Sequence, residues 1–236
     1  MNYRTGNLRS LPDVVKNLLI INGLFFLATI TLDNMDPLFG LHQFQSPEFM
    51  PHQLITHLFM HGNFTHLLFN MFALWMFGRV LENAWGGKRF LTYYIITGFG
   101  AALIYVGYIQ FQIHDISSNM SLLQMESIKQ NKILTTPTPE MRDLHKLIHS
   151  PMVGASGAVY GLLLAFGMLF PNSLIYLYFA IPVKAKYFVG GIGLLALISG
   201  IGNNPGDNVA HFAHLGGMIF GFLLIKYWKR NSNTFF

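Results

Sequence analysis

Residues 14–32 read VVKNLLIINGLFFLATITL, a run in which a single lysine carries the only charge. A helix rises about 1.5 Å per residue, so about 20 apolar residues cross a hydrocarbon core about 30 Å thick. Six stretches have this character: Val14–Leu32, Gly62–Leu81, Phe90–Ile113, Met152–Phe170, Tyr187–Ile201 and Asn208–Trp228. Only 11% of the residues are charged, against about 25% in soluble domains, which is too few to cover a surface in water. The sequence therefore predicts an all-α polytopic membrane protein with six transmembrane helices. Residues 14–228 form one membrane domain, flanked by a short segment 1–13 and a tail 229–236. The fifth stretch is short. The run SLIYLYFAIPV before it either lengthens it or lies at the interface as an extended piece, and Pro182 opposes one straight helix through both.

Basic residues set the orientation. Arg4, Arg9 and Lys16 precede or open the first span, and Arg79, Lys88 and Arg89 lie between the second and third. Lys184 and Lys186 lie between the fourth and fifth, and Lys226, Lys229 and Arg230 close the sixth. All fall on one side of a six-span arrangement, so the positive-inside rule puts both termini in the cytoplasm. The other side holds Lys129, Lys132, Arg142 and Lys146, all within the external loop 114–150. That loop shows no periodicity, contains TTPTPE, and reads as flexible or partly ordered. The net charge of +5 is dispersed at the ends of apolar runs, which speaks against a nucleic-acid surface. The absence of cysteine excludes disulfides, a thiol nucleophile and Cys-ligated metal. No cleavage-site pattern follows the first span, so it reads as retained.

This topology brings polar residues to one level. Spans two, four and six all run inward from the outside. Ser156 falls about one turn into span four, His214 at a like depth in span six, and His66 and Asn70 near that level in span two. Polar groups inside a membrane mark functional sites. A serine hydroxyl needs an adjacent base, most often imidazole, to become a nucleophile. His66 and Asn70, at i and i+4, share a helix face and could offer donors to an oxyanion. No Asp or Glu lies at this depth, so a Ser-His dyad is the most these residues support. His211 and His214 are spaced i, i+3, and either could be the base. Gly157 with Gly161, and Gly217 with Gly221, form small faces that let helices approach closely. Tyr160 lies one turn below Ser156, where its ring could steady the imidazole.

Each feature also has a plainer reading. A lone serine in such a helix is usually packing. His57 and His61 have metal-ligand spacing, but without acidic or Cys partners nearby they read as structural, and no metal is expected. Glu82 and Arg79 read as a structural charge pair, and Asn203, Asn204, Pro205 and Gly206 as a turn.

GASG at 154–157 with Tyr160 after it, HLGG-x-x-x-G at 214–221, and THLFMHGNFTHLLFN at 56–70 together resemble the rhomboid intramembrane serine proteases. The resemblance covers residues 14–228 and implies a rhomboid-like six-helix bundle. It implies Ser156 as nucleophile and His214, rather than His211, as general base. His66, Asn70 and the Ser156 backbone N–H would form the oxyanion hole, supported by Tyr160, Gly154 and Gly157. It further implies hydrolysis of peptide bonds in or near transmembrane segments of other proteins, without a cofactor. A first loop, 33–60, partly embedded beside the site and a gate at the fifth span are implied as well. Many members carry Trp-Arg in the first loop, where this chain has His52-Gln53. The expected location is a bacterial plasma membrane, with the site open to the non-cytoplasmic side and transmembrane proteins as substrates. Two other classes compete: a catalytically silent relative that binds membrane helices, and a histidine-rich metal or haem protein.

Overall fold

The computed structural model describes residues 11–118, 120–132, 137–177, 180–202 and 210–231. The N-terminal arginines, the turn at 203–206, Thr135 and Thr136 of the TTPTPE run, and the last five residues of the tail lie outside them. Helix α1 (Asp13–Thr31) is followed by a first loop holding two short helices, α2 (Met35–Phe39) and α3 (Gln53–Thr56). The next crossing, Phe64–Trp85, is one helix in three parts: α4 (Phe64–Ala73), a π-helical turn at Leu74–Gly78, and α5 (Arg79–Trp85). Then come α6 (Gly87–Ser117), α7 (Leu122–Lys129), α8 (Pro139–His149) and α9 (Ser156–Leu169). A hairpin of β1 (Leu174–Leu177) and β2 (Ile181–Lys184) leads into α10 (Ala185–Gly202), and α11 (His211–Asn231) follows.

The chain is an all-α polytopic membrane bundle. Helices α1, α4–α5, α6 and α10 are each long and apolar enough to cross a membrane. The shorter apolar α9 stands among them and packs against α6 and α11. Side chains from α1, α4–α5, α6, α9, α10 and α11 share one apolar core, with Phe90, Tyr93, Leu162 and Ile225 fully buried in it. Glu82 is buried, and its two carboxylate oxygens accept the Val14 and Val15 backbone N–H groups at 3.0 and 2.8 Å. The carboxylate therefore caps the start of α1, where first-turn N–H groups lack intrahelical acceptors.

Two expectations change. The fourth apolar stretch is not helical from Met152. Residues 151–155 are not helical: Met152 exchanges backbone hydrogen bonds with Leu41 at 2.8 and 2.9 Å, and Gly154 sits at φ +130°. The helix starts at Ser156 itself. The 114–150 loop is not irregular either. About 31 residues of α6 at about 1.5 Å each exceed a 30 Å core, and its outer turns pack with α7 and α8. Ile109, Ile113, Ile128, Leu144 and Ile148 form a separate apolar cluster there. Ser121 and Gln124 close a capping box on α7, and the Thr138 hydroxyl caps α8 with Pro139 in its first turn. Of the two alternatives left for the SLIYLYFAIPV run, its described residues take the extended one, as the antiparallel hairpin with Ile175 opposite Val183.

Candidate active site

The site forms where α9, α11 and α4 begin, beneath the first loop. Its closest contact is between helices. A Cβ built on Gly217 would lie 1.9 Å from the Gly157 carbonyl oxygen, so the α9 and α11 backbones touch there. The second glycine of each pair does something else. Gly161 faces Thr97 of α6, Gly221 faces the Tyr93 ring, and the Tyr93 hydroxyl donates to the Gly161 carbonyl at 2.9 Å. The four glycines thus build a three-helix junction rather than one two-helix seam. Gly157 also faces Ala101 of α6, whose Cβ would lie 2.4 Å from a side chain there.

One turn above this junction, Ser156 Oγ and His214 Nε2 are 2.9 Å apart. Their hydrogen bond spans 58 residues of sequence. The Tyr160 ring stacks on the His214 imidazole, with centroids 4.1 Å apart and planes 9° from parallel. His211 opens α11, its ring perpendicular to that of His214 at 6.2 Å. His214 is therefore the histidine that meets Ser156.

The third element is α4. Asn63 caps it by accepting the His66 backbone N–H at 2.8 Å. The His66 ring lies against Gly154: a Cβ there would be 2.8 Å from His66 Nε2 and 3.7 Å from Ser156 Oγ. The His66 imidazole and the Ser156 hydroxyl thus both border residue 154, where the approach of the His66 ring leaves no space for a side chain. Asn70 is buried, and one of its amide hydrogens goes to the His66 carbonyl at 2.9 Å. Ser156 is the first residue of α9, so its backbone N–H belongs to the turn that lacks intrahelical acceptors, at the positive end of the helix dipole.

The first loop holds this arrangement from above. Gly154 N–H donates to the His57 carbonyl at 2.9 Å. The His57 ring is buried, with Nδ1 2.8 Å from the Gln53 carbonyl, and burial lowers its pKa to about 4. Burial, with His66 beside it, lowers His61 to about 4 as well. Both rings are neutral at neutral pH. Among the described residues no three His, Asp or Glu side chains converge as metal ligands.

Sequence reasoning missed Gln53. It is fully buried, and its amide donates to the carbonyls of Pro37 and Glu48 at 3.0 and 2.8 Å. Its oxygen accepts from the backbone N–H groups of His42 and Met50 at 3.3 and 3.1 Å. One side chain fastens four points of the loop. The bonds go to backbone atoms of an irregular loop, for which the residues around Gln53 give no local signal.

A family model of the rhomboid domain matches residues 48–231. The chain belongs to the rhomboid family. It is 28% identical to RHOMBOID-like protein 12, mitochondrial, of Arabidopsis thaliana over 87% of its own length and 55% of that protein. To rhomboid-like protease 5 of Toxoplasma gondii it is 29% identical, over 74% of this chain and 16% of that one. YdcA of Bacillus subtilis, a candidate rhomboid protease by name, is 30% identical over 73% of this chain and 64% of that protein. The chain spans less than two thirds of the length of each of these relatives. Rhomboid relatives named as proteases are thus among its matches, and it shares with the family a domain embedded in the membrane.

Proposed function

We propose that this rhomboid is an intramembrane serine endopeptidase that cuts peptide bonds in or near the transmembrane segments of other membrane proteins. The observation that carries the reading is the 2.9 Å contact between Ser156 Oγ and His214 Nε2, with Tyr160 stacked on the imidazole. With the ring proton on Nδ1, Nε2 accepts the Ser156 proton as Oγ attacks the scissile carbonyl. The carbonyl oxygen becomes an oxyanion. Donors for it are the Ser156 N–H at the start of α9 and the side chains of His66 and Asn70. His214 then passes its proton to the leaving amine, and water, activated by the same ring, releases the acyl group from Ser156. Gly157 serves by keeping α9 and α11 in contact, and no cofactor takes part.

We assign six crossing helices, with α9 and α11 completing the four apolar ones, and both termini in the cytoplasm. The lysines and arginines clustered at one end of the crossings support this orientation. The site then opens to the non-cytoplasmic side, and the membrane is a bacterial plasma membrane.

The test is purified protein in liposomes with a fluorogenic transmembrane peptide. Ser156→Ala and His214→Ala abolish cleavage, His211→Ala retains it, and chelator has no effect. His66→Ala and Asn70→Ala each lower kcat on the order of 100-fold, the size of a lost oxyanion donor. Undiminished cleavage by Ser156→Ala would overturn the mechanism.

A further inference from the structure

The hairpin between α9 and α10 has a physical problem that only one environment solves. It is a sheet of two strands, so each strand has an outer edge whose N–H and C=O groups find no sheet partner. Hydrocarbon does not tolerate such edges, because nothing there can hydrogen-bond them. Water does. Yet the side chains are those of a membrane-facing surface: Leu174, Tyr176 and Ile181 are 51%, 57% and 57% exposed, and Tyr187, just beyond the hairpin, is 65% exposed. Along the strands Leu174, Tyr176, Pro182 and Lys184 share one face by register, while Ile175 on the other face is buried in the main core. Open edges require water, and the exposed face disfavours it. The headgroup layer of a bilayer meets both demands.

Position agrees. The base of the hairpin is tied to both helices: Ala185 N–H donates to the Ser173 carbonyl at 2.8 Å and Lys186 N–H to the Pro171 carbonyl at 3.2 Å. It therefore sits at the end of α9 remote from Ser156, about 21 Å along a 14-residue helix, and directly at the foot of the crossing helix α10. Lys184 and Lys186 stand at this base. Neither is in an ion pair among the described residues, and the Lys186 ammonium lies 5.1 Å from the Tyr187 ring centroid. Lysines flanked by interfacial tyrosines place their charge among lipid phosphates while their stems lie on apolar surface.

We propose that the β1–β2 hairpin lies in the headgroup layer and holds anionic phospholipid through Lys184 and Lys186, with Leu174 and Tyr176 of the exposed face set into the upper acyl chains. The site is distinct from the Ser156 end of the bundle and does not depend on catalysis. Each lysine is expected to raise the local preference for anionic over zwitterionic lipid about fivefold.

The chain contains no cysteine, so Tyr176→Cys can carry a single fluorophore. The labelled protein is placed in liposomes containing brominated phosphatidylglycerol or, at equal mole fraction, brominated phosphatidylcholine. Quenching by both lipids is expected, stronger for the glycerol lipid. Lys184→Gln with Lys186→Gln, made in the labelled background, removes that preference. A control with Lys129→Gln and Lys132→Gln, on the opposite side, keeps it and shows that net charge alone is not the cause. No quenching by either lipid would put the hairpin in water and overturn the proposal. Equal quenching in the parent protein, or a preference that survives the double substitution, would overturn the lysine site.

Discussion

Gly217 of α11 meets the backbone of α9, whereas Gly190 and Gly191 of α10 have no atom within 4 Å of where a side chain would start. Both stretches are rich in glycine, and both belong to helices of the bundle. On α11 the missing side chain is the means by which two backbones touch and Ser156 comes within reach of His214. On α10 it leaves a thin, exposed helix, buried only at Ala185, Val189, Ala196 and Gly200. Absence of a side chain is thus a packing device in one place and a loss of helix propensity in the other.

A graded series of alanine substitutions follows from what each new methyl would meet. Gly217→Ala has the largest expected effect. Its neighbour at 1.9 Å is a carbonyl oxygen, so the helices must part, and cleavage of a transmembrane peptide should fall to background along with the yield of folded protein. Gly161→Ala comes next, since its neighbours at 2.7 to 2.9 Å are atoms of the Thr97 side chain. Overpacking of this kind costs about 1–3 kcal/mol, seen as a lower unfolding midpoint in detergent, and Thr97→Ala in the same chain should restore part of the loss. Gly167→Ala meets Val189 at 3.0 Å, a side chain on the loosely held α10. Its cost should stay below about 1 kcal/mol by the same measurement. Gly190→Ala should stabilise by about 0.5–1 kcal/mol, the ordinary advantage of alanine over glycine in a helix. If Gly190→Ala proved as damaging as Gly161→Ala, the contrast between the two helices would be wrong.

The same contrast marks how far the sequence could be read. Spacing at 157/161 and 217/221 pointed to close helix approach, and the layer of Ser156, His214, His66 and Asn70 followed from span direction alone. Which glycines touch which helix did not follow, because GGIG on α10 shows the same composition as the true contact. The start of α9 was also out of reach. It is decided by Met152 pairing with Leu41, a contact with no local signature, and the correction matters because it moves Ser156 to the helix N-terminus. Helices α7 and α8 were legible and passed over. Ser121 with Gln124, Thr138 before Pro139, and Met141, Leu144 and Ile148 at helical spacing are ordinary start and core signals. The TTPTPE run between the two helices outweighs these signals and makes the segment read as loop. The four bonds of Gln53 belong to a third class: buried polar residues in irregular chain, whose partners are backbone atoms that no pattern of side chains reveals.

α11 is also the last of the described helices to leave the ribosome. Ser156 and its helix enter the membrane 58 residues before His214 is made, and until α11 threads in beside α9 the hydroxyl has no base. An unfinished chain therefore lacks the Ser156–His214 contact, which can form only once the last described helix is in place.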